Sequence, residues 1–326
     1  MGTFRLKGWV GLAVGLWACT SAPPTSPLPA RPAFTLAAQR PLFSAESAYV
    51  AIERQLAFGP RIPGTPTHKA CGDWLKAELL RRGARLTEQI GTYKGTPIRN
   101  LIVSFGDTVS QGRVLLSAHW DSRPRADRDA HNPNAPVPGA NDDASGVAVL
   151  LELARLFAEQ PLPYPVDIAL WDAEDLGQEG IEDSYCLGSQ YWLEQPQPYP
   201  TQAYAWGIHL DMVGGRGATF FQEGYSRQYA PFLTERLWQV AAYLGYGGIF
   251  RFAPGEPILD DPFYLSSRGH IPMCNIIQRT PTQGFFPEWH TTQDDLSVID
   301  KTTLQAVGET LVAFLYSFSP QSLNPK

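Results

Sequence analysis

"RVLLSAHW", residues 113–120, decides the fold. Val114, Leu115 and Leu116 form a continuous apolar run, the pattern of a strand covered on both faces. "VDIALWD" (166–172) is a second strand of that kind. Between them "GVAVLLELARLFAEQ" (146–160) carries apolar residues at helical spacing. Upstream, "SAESAYVAIERQLAFG" is a helix capped by Ser44, and "RIPGTPTH" breaks it. "KACGDWLKAELLRRGA" is a second helix stopped by Gly83, and "IRNLIVSF" (98–105) is a strand. Downstream come a short helix "LGSQYWLEQ", a strand "AWGIHLDMVG", a helix "QYAPFLTERLWQVAAYLGY", a strand "IPMCNII" and a closing helix "TTLQAVGETLVAFLYSF". This alternation predicts a single α/β domain. Its central, mostly parallel, twisted sheet is flanked by helices on both faces.

The chain has 326 residues, 44% hydrophobic and 18% charged, a globular composition. Without its N-terminus roughly 290 remain, enough for one large domain. A net charge of −6 and the lack of a basic stripe argue against a nucleic-acid partner. Arg5 and Lys7 precede "GWVGLAVGLWAC" (8–19), an apolar run of signal-peptide length, too short to span a membrane comfortably. Its end, "LWAC", resembles a bacterial lipoprotein processing site with Cys19 as the lipidated residue, although Trp17 is unusual there. A plain secretory signal is the next reading. Residues 20–43, rich in proline, are expected to be an extended tether, and 44–326 the folded domain. The expected location is the periplasm or cell envelope, with membrane contact only through the lipid. Cys71, Cys186 and Cys274 include no C-x-x-C pair, so a thiolate metal site is not indicated.

Ligands of such sheets collect beyond the carboxyl ends of strands. The polar and ionisable residues there are His119 and Asp121; Asn141, Asp142 and Asp143; Asp172, Glu174 and Asp175; His209 and Asp211; Asp260 and Asp261; and His290. Each has an ordinary alternative. One of Asp142 and Asp143 is expected to cap the helix that follows. Asp121 could pair with Arg123 or Arg125, His119 could be a satisfied buried ring, and Glu174–Asp175 could be a solvated turn. Five strand regions aiming carboxylates or imidazoles at one edge is harder to dismiss. Carboxylates and histidines without thiolates suit a catalytic zinc with an open position. In the Glu174–Asp175 pair one acid can bind metal while the other stays free as general acid or base.

"HWDS", "GANDDASG", "WDAEDLG", "HLDMVG" and "WHT" resemble, in order and spacing, the zinc aminopeptidase-like family. That family holds leucyl-type aminopeptidases and glutaminyl-peptide cyclotransferases. From "LDDPFYLSSRGHIP" and "FPEWHT" onward the chain looks more like the cyclotransferases. The resemblance implies zinc held by Asp142, Asp175 and His290, with Glu174 as general acid/base. It also implies a hydrogen-bonded network through Asp211 and Asp260, and a pocket wall from Trp289 and Phe285 or Phe286. Partners would be peptides or proteins with N-terminal glutamine, bound by a monomer. One departure is Asp175, where the family usually has the longer Glu. Another is that His119 and Asp211 are retained; in dinuclear peptidases they would hold a second zinc bridged by Asp142. One zinc is expected and two are not excluded by the ligand list. The alternative activity is a zinc aminopeptidase. Of Asp294 and Asp295, one is expected to be a cap or turn residue before the last helix.

Overall fold

The structure, a computed structural model, describes residues 34–323 apart from 109–110 and 182. Its strands are β1 (Arg85–Tyr93), β2 (Thr96–Phe105), β3 (Arg113–His119), β4 (Val166–Trp171), β5 (Tyr204–Asp211), β6 (Thr219–Gln222), β7 (Phe250–Pro254) and β8 (Met273–Arg279). They form one sheet in the order β1-β2-β4-β3-β5-β8-β6-β7. The centre, β4-β3-β5-β8, is parallel. β2 joins β4 antiparallel, β1 folds back on β2, and β6 joins β8 antiparallel with β7 parallel beyond it. The mostly parallel α/β sheet expected from the sequence is therefore present, with antiparallel additions on both sides.

The helices are α1 (Ala45–Leu56), α2 (Pro66–Leu80), α3 (Ala144–Glu159), α4 (Leu187–Glu194), α5 (Gly224–Tyr229), α6 (Pro231–Tyr243), α7 (Asp261–Ser267), α8 (Lys301–Ser317) and α9 (Pro320–Leu323). Successive strand residues serve opposite layers, as the pleat requires. Leu101, Val103, Val114, Leu116, Ile168 and Leu170 pack with α1, α3 and α8. Ile102, Leu115 and Ala169 pack against Trp192 of α4 and Leu265 of α7. Helices thus cover both faces.

Several expectations are corrected. β1 was not anticipated: Lys94 and Gly95 both take positive φ (48° and 83°), the requirement of a two-residue hairpin turn. Short β6 and β7 carry too little periodicity to be read. α2 begins at Pro66, because the Thr65 hydroxyl accepts the His68 N–H and proline suits the first helical position. The break at "RIPGTPTH" is therefore shorter than expected. Pro231 likewise starts α6 later than expected, and Gln228–Tyr229 ends α5 instead. Residues 34–43 are not tether. Phe43 is buried against Gly308, Phe34 meets Phe318 edge-on at 5.5 Å, and Ala37 N–H donates to Ser317 Oγ at 2.8 Å. The signal and the rest of the tether lie outside the described residues. Among the described residues no helix is long and apolar enough to cross a membrane. Cys71, Cys186 and Cys274 are buried free thiols.

The chain passes from β3 through α3 to β4 on one side, then returns to place β5 on the other side of β3. Strand order reverses at β3, and such a reversal opens a crevice beyond the carboxyl ends.

Candidate active site

The crevice is lined by five loops, those after β3, β4, β5, β7 and β8. After β3 the chain runs to α3, where Asp143 is the N-cap. Its carboxylate accepts the N–H of Gly146 (2.8 Å) and of Met212 after β5 (3.1 Å). So Asp143 is the capping member of the pair and Asp142 is left facing the cavity. Arg61, fully buried, fixes this loop by donating to the carbonyls of Trp120, Pro138 and Gly139 at 2.9, 2.9 and 2.7 Å. Gly139 has φ 68°, and a Cβ there would meet the Asp142 carbonyl at 2.4 Å. Arg61 gave no signal in the sequence; it lies in a proline-rich break.

After β4, Asp172 turns inward. It accepts the Arg99 N–H (2.7 Å) and contacts His68 Nε2 (2.8 Å), whose ring stacks on Trp120. Asp121 receives the N–H groups of Glu174 and Asp175 at 3.0 and 3.1 Å. Asp121 therefore pairs with neither Arg123 nor Arg125. It holds the Glu174–Asp175 turn, in which Asp175 is buried rather than solvated.

Ligating atoms of Asp142, Asp175 and His290 all lie within 4.8 Å of one another. His290 Nε2 is 3.3 Å from Asp175 Oδ1 and 3.7 Å from Asp142 Oδ2. The His290 ring is fixed from its far side, with Nδ1 3.3 Å from Asp127 Oδ1. Arg123 joins the two arms: it donates to Asp175 Oδ1 at 2.9 Å and to Asp127 Oδ1 at 2.9 Å. Neither Arg123 nor Asp127 had been singled out as part of a site, for nothing in "DSRPRADRD" separates them from a charged surface loop.

His119 is buried. Its Nε2 is 2.9 Å from Asp142 Oδ1 and 3.6 Å from Asp211 Oδ1, and its Nδ1 is 3.4 Å from Asp121 Oδ1. It also stands near Asp143 and Asp211 in a second group of potential metal donors. Glu174, Asp211 and Asp260 line one cavity of about 610 Å³ together with Asp142, Asp175 and His290. Asp260 accepts from Asn275 Nδ2 at 2.6 Å. His209 and Asp261 lie behind this wall, bonded to Ser117 Oγ (2.9 Å) and the Ser189 hydroxyl respectively.

Burial pushes the Glu174 carboxyl well up, helped by the Asp175, Asp260 and Asp261 charges and opposed by His119. Burial likewise moves Asp260 to about 6 and Asp211 to about 8. Asp211 Oδ1 and Asp143 Oδ2 are buried without a hydrogen-bond donor. Buried acids so crowded call for a cation, and two carboxylates with one imidazole form a donor set suited to zinc with an open position. The residues present therefore fit the metal.

The aromatic residues stack in order. Trp289 is nearly parallel to Phe285 (centroids 3.8 Å, 14°) and to His290 (3.7 Å, 26°), and Arg279 caps Phe285 at 4.1 Å. Two rings that close to one indole must occupy its opposite faces, so Trp289 meets the cavity with its edge. Phe285 and Trp289 line the cavity. Phe286 does not: it is 6% exposed and packs with Met212 and Ile277. That corrects its expected role as a pocket wall, and the reason is that adjacent residues point to opposite sides.

The model of Peptidase family M28 matches residues 100–315. The chain resembles the solved glutaminyl cyclase of Porphyromonas gingivalis at 46% identity, covering 83% of this chain and 97% of that one, TM-score 0.80. It resembles a glutaminyl cyclase of Bacteroides thetaiotaomicron, solved bound to N-acetylhistamine, at 42% identity, covering 86% and 100%, TM-score 0.81. A Zn-dependent exopeptidase of Parabacteroides distasonis is similar at 43% identity, covering 86% and 100%, TM-score 0.82. Aminopeptidase YwaD of Bacillus subtilis is 26% identical over 65% of this chain, and the match spans only 42% of that relative's length. The chain belongs to peptidase family M28 and, within it, is similar over 83% and 86% of its length to two solved glutaminyl cyclases.

Proposed function

We propose that the protein cyclises N-terminal glutaminyl residues of peptides and proteins to pyroglutamate, releasing ammonia. The observation that carries this reading is the row Glu174, Asp211 and Asp260 in one cavity beside the Asp142–Asp175–His290 cluster. Similarity to two glutaminyl cyclases over 86% and 83% of this chain supports it.

Asp142, Asp175 and His290 hold zinc, one ion per chain, which supplies Lewis-acid polarisation of the γ-amide carbonyl when bound. Glu174 accepts a proton as the α-amine nitrogen bonds to the γ-carbonyl carbon, and returns it to the amide nitrogen as that C–N bond breaks. The released ammonia carries that proton, so no water is consumed. Burial and neighbouring acids raise the affinity of Glu174 for the proton it must carry. Asp211 and Asp260 lie near enough to orient the glutaminyl amine and amide, and Phe285 with the Trp289 edge forms an apolar part of the cavity wall. His119 Nε2 is hydrogen-bonded to Asp142 Oδ1, where it can orient that carboxylate.

The alternative is a zinc aminopeptidase using a water nucleophile. The zinc-loaded protein is incubated with a Gln-initiated peptide and with aminoacyl anilides. Ammonia with a mass loss of about 17 Da, the mass of ammonia set free in the acid–base step, supports cyclisation. Free amino acid from either substrate, without ammonia, overturns it. The "LWAC" pattern supports an exported, lipid-anchored protein of the cell envelope.

A further inference from the structure

Asp294 lies four residues beyond His290 and is fully buried. Its side chain reaches the other metal-facing loop. Oδ1 accepts the N–H of Asn141 at 2.8 Å and Oδ2 accepts the N–H of Asp142 at 3.1 Å, while its carbonyl accepts the N–H of Ala140 at 3.0 Å. Its own N–H donates to the Thr291 carbonyl (3.3 Å), so the loop holding the clamp is itself closed. Two consecutive backbone N–H groups gripped by one buried carboxylate fix the peptide plane between them, and with it the direction in which Asp142 leaves the chain.

We propose that Asp294 is the positioning residue of the metal centre: it locks Asp142 to the loop of His290, so that these two ligands are set at their mutual spacing before any ion binds. The inference rests on the zinc reading of the Asp142–Asp175–His290 cluster. Asp294 itself touches neither metal nor substrate. A carboxylate is required because both partners are donors; an amide would turn an N–H toward one of them.

Asp294→Asn is compared with wild type and with Asp295→Asn, which alters only an exposed turn. Zinc affinity is measured by chelator competition, and melting is followed with and without zinc. The expected result is zinc bound about tenfold to a hundredfold more weakly, the range for loss of an outer-shell partner. The gain in melting temperature on adding zinc shrinks accordingly, and Asp295→Asn matches wild type. A merely structural residue would lower both melting temperatures together and leave zinc affinity unchanged, which overturns the proposal. Hydrogen exchange on metal-free wild type needs no variant: the Asn141 and Asp142 amides are expected to be protected, and free exchange overturns the proposal. If wild type binds no zinc, it is the zinc reading that fails.

Discussion

The Cys186 thiol donates to Glu174 Oε1 across 3.1 Å, and the Cys186 N–H donates to the Glu174 carbonyl at 3.0 Å. One cysteine thus holds both ends of the residue assigned to proton transfer, and leaves Oε2 as the oxygen free to face substrate. Glu174→Gln is expected to cut kcat by about 10²–10⁴, the usual worth of a general acid/base, with zinc content unchanged. Cys186→Ala should lower kcat severalfold at unaltered KM, and Cys186→Ser, which keeps a donor, should recover most of it. Steady-state kinetics check this; equal rates in all three cysteine forms would remove the contact from the mechanism.

Phe285 and Phe286 should separate function from stability. Phe286→Ala opens a hole beside Met212 and Ile277 and is expected to cost roughly 3–5 kcal/mol. Phe285→Ala takes one ring from the stack lining the cavity, so KM should rise with a much smaller change in melting. Denaturant titration together with kinetics measures both.

Metal removal should be reversible and should show in stability as well as rate. A chelator is expected to abolish turnover and lower the melting temperature. Zinc at about a hundred times its Kd should return on the order of 2.7 kcal/mol. Metal analysis is expected to find one zinc per chain; two, with aminoacyl-anilide cleavage, would favour the peptidase.

Glu88 gives a pH prediction away from the metal. Burial pushes its carboxyl up, but hydrogen bonds from Lys76 Nζ (2.6 Å) and Arg99 Nε (2.7 Å) outweigh this and hold it below the usual value. A carboxyl depressed on folding stabilises above its unfolded pKa of about 4.3, and that stability is lost as pH falls through the folded value. Wild type should therefore lose more melting temperature than Glu88→Gln between about pH 5 and about pH 3. Parallel curves would show that the ion pairs contribute nothing.

The sheet was legible where burial leaves a run, as in β3 and β4, or where a helix repeats its apolar face, as in α3 and α8. It was not legible in β1, β6 and β7, where short or half-exposed strands take their register from neighbours. The site followed the same division. Carboxylates and imidazoles at strand ends stand out because apolar strands frame them. Arg61, Asp127 and Asp294 do not, because each acts through a backbone group or a side chain distant in sequence. Asp295, by contrast, is the turn residue expected before the last helix, accepting the Ser297 N–H.

The ordered stack of Arg279, Phe285, Trp289 and His290 has a consequence for what the cavity can discriminate. With both its faces occupied, the Trp289 indole offers no platform on which a flat guest could lie. A guest meets only its edge, which leaves no indole face for stacking.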